Sequence, residues 1–110
     1  MKSVFANSAA LHETVAKMDI KHIELSGRGA LVIKRDHERI AELTYKRDGD
    51  TINIYHTEVD KSLRGQGVGE KLVAEAVKFA RENNLKISAS CPYASKVLGR
   101  SDQYADVYVS

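Results

Sequence analysis

Arg64-Gly65-Gln66-Gly67-Val68-Gly69 is the stretch that decides how this 110-residue chain folds. Three glycines alternate with larger residues between a strand pattern that ends near Val59 and an amphipathic helix pattern that follows. Glycine lets backbone N–H groups point outward and adopts backbone angles that are closed to other residues. A helix N-terminus adds unpaired N–H donors and a partial positive charge. The stretch is therefore typical of an anion site, and phosphate is the usual occupant of such sites.

The helix that follows the glycine stretch is the clearest element in the sequence. Its apolar residues recur at helical spacing and form one stripe, which consists of Leu72, Val73, Ala76, Val77 and Ala80. Asn83-Asn84 marks its end, and residues 85–89 have the pattern of a short strand. A strand–helix–strand connection of this length predicts that the short strand lies parallel to the strand ending near Val59.

Strand patterns also precede the glycine stretch. Apolar residues alternate with polar ones around Ile23, run continuously over residues 30–33, and alternate again over residues 40–45 and 52–59. Asp48-Gly49 is a strong hairpin signal between the last two patterns. The sequence therefore predicts an antiparallel meander of three or four strands, and the last of them leads into the glycine stretch.

Pro92 begins the last helix pattern. Proline keeps the residue before it out of the α region and suits the first position of a helix. We therefore predict a short helix at about residues 92–98, with Ser90 or Cys91 near its N-cap. The tail over residues 104–109 alternates between polar and apolar residues, and it could add an edge strand.

Composition limits the classes of protein to which the chain can belong. Hydrophobic residues make up 43% and charged residues 29%, as in an ordered domain, and the net charge of +2 gives little support for nucleic-acid binding. A single cysteine excludes an intrachain disulfide and fits a reducing compartment. No apolar stretch has the length needed to span a membrane. We expect a cytoplasmic protein, with residues 1–19 as an N-terminal extension (a helix or a loose arm) before a single domain at residues 20–110.

Two nucleotide-binding motifs can be tested against the glycine stretch. A Rossmann fingerprint read from Gly65 needs glycine or alanine at position 70, and a P-loop needs glycine before Lys71 and Ser or Thr after it. Glu70 and Leu72 break these patterns. The arrangement that fits is Arg64-x-x-Gly67-x-Gly69 between an antiparallel-sheet strand and a helix. It resembles the acetyl-CoA signature of the GNAT N-acetyltransferase superfamily.

The resemblance extends beyond the glycine stretch to the small single-domain branch of that superfamily. His56-Thr57-Glu58-Val59 precedes the stretch, and Cys91-Pro92-Tyr93 follows the helix and the short strand. The likeness implies an α+β fold with a mixed, strongly twisted sheet, in which an antiparallel meander joins a parallel βαβ crossover, and with one long and one short helix. The strands carrying residues 56–59 and 86–89 would separate to admit the pantetheine arm. Residues 1–19 depart from this branch and could cover the open substrate side.

The resemblance also implies that acetyl-CoA is the co-substrate. Backbone groups of Val59 would pair with the pantetheine amides, and the N–H groups of residues 65–70 would bind the pyrophosphate. Arg64 could neutralise a phosphate or remain solvated at the edge of the loop. Tyr93 could contact CoA or pack its helix onto the sheet, and Lys96 and Arg100 could lie near the phosphates or be surface charges. The expected cofactor-binding residues are Val59, Arg64, Gly65, Gln66, Gly67, Val68, Gly69, Glu70, Tyr93 and Lys96.

Cys91 is the first candidate catalytic residue. Its predicted place at a helix N-terminus favours the thiolate, because the helix dipole stabilises negative charge there. It could form a covalent acyl intermediate, or it could protonate the departing CoA thiolate as a general acid. The alternative is that it is a small buried hydrophobic residue, as many free cysteines are.

His56 is the second candidate catalytic residue. Strict alternation places His56 and Glu58 on the same face as Ile52 and Ile54, and Thr57 on the opposite face. A neutral imidazole can accept the proton that an amine substrate loses, directly or through water. The alternatives are a structural histidine at a strand end, and Glu58 as a rival base. The other histidines show no spacing typical of a metal site, so no metal is expected.

The expected activity is that of a CoA-dependent N-acetyltransferase, which moves an acetyl group from acetyl-CoA to a primary amine. That amine could be a protein lysine or a small molecule. The alternative is a non-catalytic sensor module that binds CoA or acyl-CoA. The expected partners are acetyl-CoA and an amine acceptor, with no nucleic acid and no membrane, and the protein is expected to be a monomer or a weak dimer.

Overall fold

A five-stranded mixed sheet forms the centre of the molecule in the computed structural model, which describes residues 19–109. Four antiparallel strands form a meander, and a fifth strand pairs in parallel with the fourth. The strands are β1 (Lys21–Leu25), β2 (Arg28–Arg35), β3 (Glu38–Asp48), β4 (Thr51–Val59) and β5 (Lys86–Ala89). The mixed sheet predicted from the sequence is thus confirmed.

Two α-helices complete the fold. The long helix α1 (Val68–Glu82) connects β4 to β5 and lies across β2 to β5, and the short helix α2 (Pro92–Gly99) follows β5. Single 3₁₀ turns lie at Lys61–Leu63 and Asp102–Tyr104. No helix within residues 19–109 is both long and apolar enough to cross a membrane.

Two predictions about the ends of the chain have different outcomes. The tail over residues 104–109 contains no full strand, because residues 102–104 form a 3₁₀ turn, residues 105–107 form a further turn, and only Tyr108 forms a bridge, parallel to Ile87. The prediction for residues 1–19 as an extension lies outside the described residues, apart from Asp19. The proposed domain start at residue 20 is close to the beginning of β1.

The core lies between the sheet and α1. The helical stripe predicted from the sequence, from Leu72 to Ala80, is buried against Leu43, Ile52 and Ile87 of the sheet. Burying one such aliphatic side chain contributes about 1.5–3 kcal/mol. Tyr45 is also fully buried, and its hydroxyl forms a 2.6 Å hydrogen bond with Nε2 of His22, so its polar atom is satisfied.

A β-bulge in β4 changes which side chains face this core. Tyr45 pairs with Ile54, but the next residue back, Thr44, pairs with His56. Tyr55 is therefore an extra residue on β4 that has no partner in the register with β3. An extra residue shifts the period-two alternation by one, so all side chains after it change face.

The face assignment made from strict alternation is therefore wrong beyond the bulge. Thr57 pairs with the buried Leu43 and faces the core side, where α1 and α2 pack. His56 and Glu58 pair with residues of the opposite face, and the partner of Glu58 is Glu42. The alternation of residues along β4 does not reveal the bulge, because a bulge is a property of the pairing between two strands rather than of one strand's sequence.

Strands β4 and β5 pair only over a short length. The parallel register joins residues 51–54 of β4 to residues 86–89 of β5, and β4 then continues alone to Val59. At the point of separation, the N–H groups of Ser90 and Cys91 both donate to the Ile54 carbonyl, at 3.0 and 3.2 Å. The expected separation of these two strands is confirmed, and it leaves the backbone edge of β4 open after Ile54.

Candidate functional site

A cleft of about 610 Å³ lies where β4 and β5 separate. The last residues of β4, the glycine stretch, the first turn of α1 and one side chain of α2 form its walls. The lining residues are Thr57, Glu58, Val59, Leu63, Arg64, Gly65, Gly67, Val68, Gly69, Glu70 and Tyr93. Most of the residues predicted to bind the cofactor therefore surround one cavity.

Gly67 sets the conformation at the start of α1. It is the N-cap residue, has a left-handed backbone with φ of 76°, and provides no side chain to cap the helix. A residue with a Cβ is strained in this conformation by about 1–2 kcal/mol. The first N–H groups of α1 are thus left without a side-chain cap beside the cleft, which is the arrangement that binds anions such as phosphate.

Gly69 is required for a different reason, which is the close approach of Tyr93. A Cβ at Gly69 would lie 2.7 Å from the Tyr93 hydroxyl and 2.9 Å from its ring. The ring therefore rests directly on the first turn of α1 and forms a wall of the cleft. Burial raises the pKa of the Tyr93 hydroxyl, and the nearby Glu70 carboxylate raises it further, so the hydroxyl stays protonated as a donor at neutral pH.

Arg64 is an exposed cation at the mouth of the cleft. Its Nε atom donates a 3.3 Å hydrogen bond to the Val59 carbonyl, which belongs to the open edge of β4. This contact holds the guanidinium beside the end of β4, where it adds a positive charge to the wall of the cleft.

Two predicted cofactor residues do not line the cleft. The Gln66 amide donates to the Ser62 carbonyl at 3.1 Å and so braces the loop from within. Lys96 is exposed on α2 and is not part of the cleft wall. The side chains of Gln66 and Lys96 therefore do not line the cavity. Only the backbone of Gln66 could contribute to binding a ligand in the cleft.

Cys91 lies immediately behind the cleft wall, at the N-cap of α2. The residue is only 7% exposed, and its sulfur lies 3.4 Å from Oγ1 of Thr57, which does line the cleft. Strict alternation along β4 predicts the opposite face for Thr57, so the sequence does not indicate that Thr57 contacts the thiol. The hydroxyl of Thr57 therefore connects the buried thiol to the cavity.

The surroundings of Cys91 favour its thiolate. Burial raises the pKa of the thiol, but the Thr57 hydroxyl and the backbone N–H groups of Ala94, Tyr93 and Thr57 outweigh burial. The net pKa is therefore lower than the ordinary value of a cysteine. The sulfur forms no capping hydrogen bond of ordinary length with α2, so the N–H groups of that helix act as nearby dipoles.

His56 lies on the opposite face of the sheet from Cys91. Its imidazole is 47% exposed, with Nε2 3.5 Å from a Glu58 oxygen and 3.8 Å from a Glu42 oxygen. The structure therefore does not bring the two predicted catalytic residues together. Glu58 is the member of this group that also lines the cleft, so any exchange of protons between His56 and the cavity passes through Glu58 or water.

Glu42, His56 and Glu58 form a cluster that the sequence did not reveal. Their ligand-type atoms all lie within 4.8 Å of one another. Glu42 is on β3, so spacing along the chain gives no signal for the cluster. One Glu42 oxygen already pairs with Arg39 at 2.8 Å, and the cluster is largely open to solvent. The absence of a metal remains a prediction.

A smaller pocket of about 210 Å³ borders the cluster. Glu58 lines this pocket as well as the cleft, and Glu42 and Asp60 supply further carboxylates next to one arginine, Arg39. The two cavities thus lie on either side of Glu58, and the smaller one has an acidic wall.

Comparisons with known proteins agree with this geometry. A family described as GCN5-related N-acetyl-transferase matches residues 30–107, which is more than half of the chain. Protein NATD1 of Xenopus tropicalis is 38% identical over 61 residues, covering 54% of this chain and 55% of the relative. The human protein of the same name is 38% identical over 61 residues. The chain therefore matches about half the length of these curated relatives.

Two solved structures are similar in fold as well as in sequence. A GCN5-like protein from Staphylococcus aureus, solved by NMR, is 42% identical with a TM-score of 0.66, covering 86% of this chain and 91% of its own. A protein assigned as a streptothricin acetyltransferase, from Bacillus anthracis and in complex with acetyl coenzyme A, is 27% identical with a TM-score of 0.50. That match covers 59% of this chain and 39% of the other. The chain is a member of the GCN5-related N-acetyltransferase family.

Proposed function

We propose that this protein transfers the acetyl group of acetyl-CoA to a primary amine. The observation that carries the proposal is the cleft, which runs from the uncapped N-terminus of α1 to the open edge of β4 and ends beside Thr57 and Cys91. Membership of the family supports it, as does the acetyl coenzyme A bound in the similar Bacillus anthracis structure.

The cofactor would use the cleft along its whole length. Its pyrophosphate binds the N–H groups of residues 65–70, where Arg64 supplies a counter-charge. Its pantetheine arm takes the place of the missing strand and pairs with the backbone of Val59, in exchange for the hydrogen bond from Arg64. The thioester then lies near Thr57, and backbone N–H groups of β4 can polarise its carbonyl.

The reaction begins when the amine nitrogen attacks the thioester carbonyl. A C–N bond forms, the C–S bond breaks, and CoA leaves as a thiolate that requires a proton. Cys91 can donate that proton as a general acid and recover it from solvent. Alternatively, its thiolate first accepts the acetyl group and then passes it to the amine. The lowered pKa of Cys91 is compatible with either route.

The proton lost by the amine goes to the group formed by Glu58 and His56. Glu58 borders the cavity, and His56 lies 3.5 Å from its carboxylate, so the imidazole accepts the proton through Glu58 or through water. Most of the rate acceleration comes from positioning of the two reactants and from the carbonyl contacts.

The acceptor is a primary amine, either a protein lysine or a small molecule. The acidic wall formed by Glu42, Glu58 and Asp60 in the smaller pocket would attract the ammonium form of such a substrate. We place the reaction in the cytoplasm because Cys91 is a free thiol, and we expect a monomer or a weak dimer.

A non-catalytic sensor of CoA or acyl-CoA is the second candidate function. Two observations favour it: Cys91 is buried behind Thr57, and His56 lies on the opposite face of the sheet. Such a module would bind the phosphates of CoA at residues 64–70, the phosphate end of the cleft. It would not catalyse an efficient reaction beside Thr57 and Cys91, the acyl end.

The experiment that tests the proposal has two parts. Thermal-shift titration with acetyl-CoA is expected to raise the melting temperature under either function. Release of free CoA is then followed over time with and without candidate amines, including a lysine-containing peptide and a polyamine. Release that depends on the amine supports the transferase, whereas stabilisation without any amine-dependent release supports the sensor. The absence of stabilisation by acetyl-CoA would contradict both.

A further inference from the structure

An ion pair joins the two helices at the cleft. Arg100 is the C-cap residue of α2, and its guanidinium donates a short hydrogen bond to the carboxylate of Glu70, the third residue of α1. Glu70 lines the cleft, whereas Arg100 stands behind it. From the sequence alone, Arg100 could lie near the phosphates or be a surface charge, and its pairing with Glu70 was not predicted.

Glu70 presents an electrostatic problem for a phosphate site. A carboxylate in the first turn of a helix is favoured by the helix dipole, which is the same field that attracts a bound phosphate. Glu70 and Tyr93 both line the cavity, and the Glu70 carboxylate is near enough to the Tyr93 hydroxyl to raise its pKa, while Arg100 acts in the opposite direction. An unpaired Glu70 would therefore repel a pyrophosphate at the start of α1.

We propose that Arg100 determines the affinity of the cleft for its phosphate-bearing cofactor by neutralising Glu70. This inference rests on the proposed function, because it takes CoA as the ligand. Arg100 acts through Glu70 and is a positioning residue, so its contribution disappears when Glu70 carries no charge. Both side chains are about half exposed, and the effect is therefore moderate and depends on salt.

A double-mutant cycle tests the inference. The dissociation constant for CoA is measured by calorimetry for the full chain as wild type, Arg100→Ala, Glu70→Gln and the double variant. We expect Arg100→Ala to weaken binding about three- to tenfold at low ionic strength, and less at high salt. In the Glu70→Gln background, the same change is expected to alter binding less than about twofold. Steady-state kinetics should show the change in KM for acetyl-CoA and not in kcat.

The chain offers a matched control in Arg81. It forms an ion pair with Asp106 at 2.9 Å and is 46% exposed, compared with 52% for Arg100, but it does not line or border the cleft. Arg81→Ala removes the same charge and should leave CoA binding unchanged. Arg100→Lys should restore most of the affinity, because a lysine also neutralises the carboxylate.

Several outcomes would overturn the inference. Unchanged binding in Arg100→Ala would show that the pair has no influence on the ligand. Equal weakening in the wild-type and Glu70→Gln backgrounds would show that Arg100 contacts the phosphate directly. If equal weakening occurs in Arg81→Ala, the cause is the net charge of the protein. Failure of the wild-type protein to bind CoA would refute the proposed function as well, whereas normal binding with an unaffected Arg100 variant refutes this inference alone.

Discussion

The phosphate end of the cleft is formed mainly by backbone groups, whereas the acyl end is formed mainly by side chains. At the phosphate end, backbone N–H groups of one continuous segment would bind the proposed ligand, and their orientation depends on the positive φ of Gly65 and Gly67. At the acyl end, the proposed chemistry would depend on the side chains of Thr57 and Cys91, which come from separate elements and meet at 3.4 Å. The phosphate end should therefore be sensitive to backbone conformation, and the acyl end to single side-chain atoms.

The largest expected effect is at the acyl end. Cys91→Ala should lower kcat by about 100-fold or more, because a group that transfers a proton or an acyl chain is removed. The dissociation constant for CoA should change less than about threefold, since the phosphate end is intact. Calorimetry and single-turnover acetyl transfer measure the two quantities. Turnover at the wild-type rate would remove Cys91 from the mechanism.

The next effect concerns backbone conformation at the phosphate end. Gly67→Ala should weaken CoA binding about tenfold, because alanine is strained at the left-handed φ of 76° by about 1–2 kcal/mol and the loop will relax away from it. Gly49→Ala is the matched control, since Gly49 also has a positive φ, of 61°, but lies in the β3–β4 hairpin. Both variants should lose stability in chemical denaturation, and only Gly67→Ala should lose affinity. An equal loss of affinity in both would contradict the prediction.

A smaller effect should appear in the pH dependence of the rate. Thr57→Val removes a hydroxyl that lowers the pKa of Cys91, so this pKa rises in the variant. If the thiolate is the nucleophile, the rate falls as the pH drops through this pKa, and that acidic limb moves to higher pH. If the thiol is the acid, the rate falls as the pH rises through it, and the alkaline limb moves to higher pH instead.

The measurement is the pH profile of kcat for wild type and Thr57→Val, with Thr44→Val as the control variant. Thr44 lies on the opposite face of the sheet, paired with His56, so its variant controls for the loss of a threonine hydroxyl in the same strand pair. A profile that is identical in Thr57→Val and wild type would show that the hydroxyl has no influence on the reacting sulfur.

The smallest expected effect is at His56. Because His56 reaches the cleft only through Glu58 or water, His56→Gln should lower kcat less than about tenfold, and less than Glu58→Gln does. Steady-state kinetics with one amine acceptor compares the two variants. A larger loss in His56→Gln than in Glu58→Gln would make the imidazole the direct base.

The two ends of the cleft differ in how much of their structure is predictable from the sequence. The residues of the glycine stretch that line the cavity come from one short segment, residues 64–70, so their spacing alone indicated a phosphate site and, by resemblance, a CoA site. The helix N-terminus at Cys91 was also predictable, since Pro92 follows it directly. Glu42 and Thr57 were missed, and the pairing of Arg100 with Glu70 was not predicted, because each of these residues acts through a contact with a residue far away in the sequence.

The sequence by itself determined the order of the elements, the parallel crossover and the phosphate end of the cleft, because all of these depend on residues that are close together in the chain. The tertiary structure alone decided which face of β4 meets Cys91. The bulge at Tyr55 arises from the pairing of β3 with β4, and it turns Thr57 toward the thiol and His56 away from it. A single unpaired residue changes the face of every side chain after it, so the acyl end could be assigned only once the register between the strands was known.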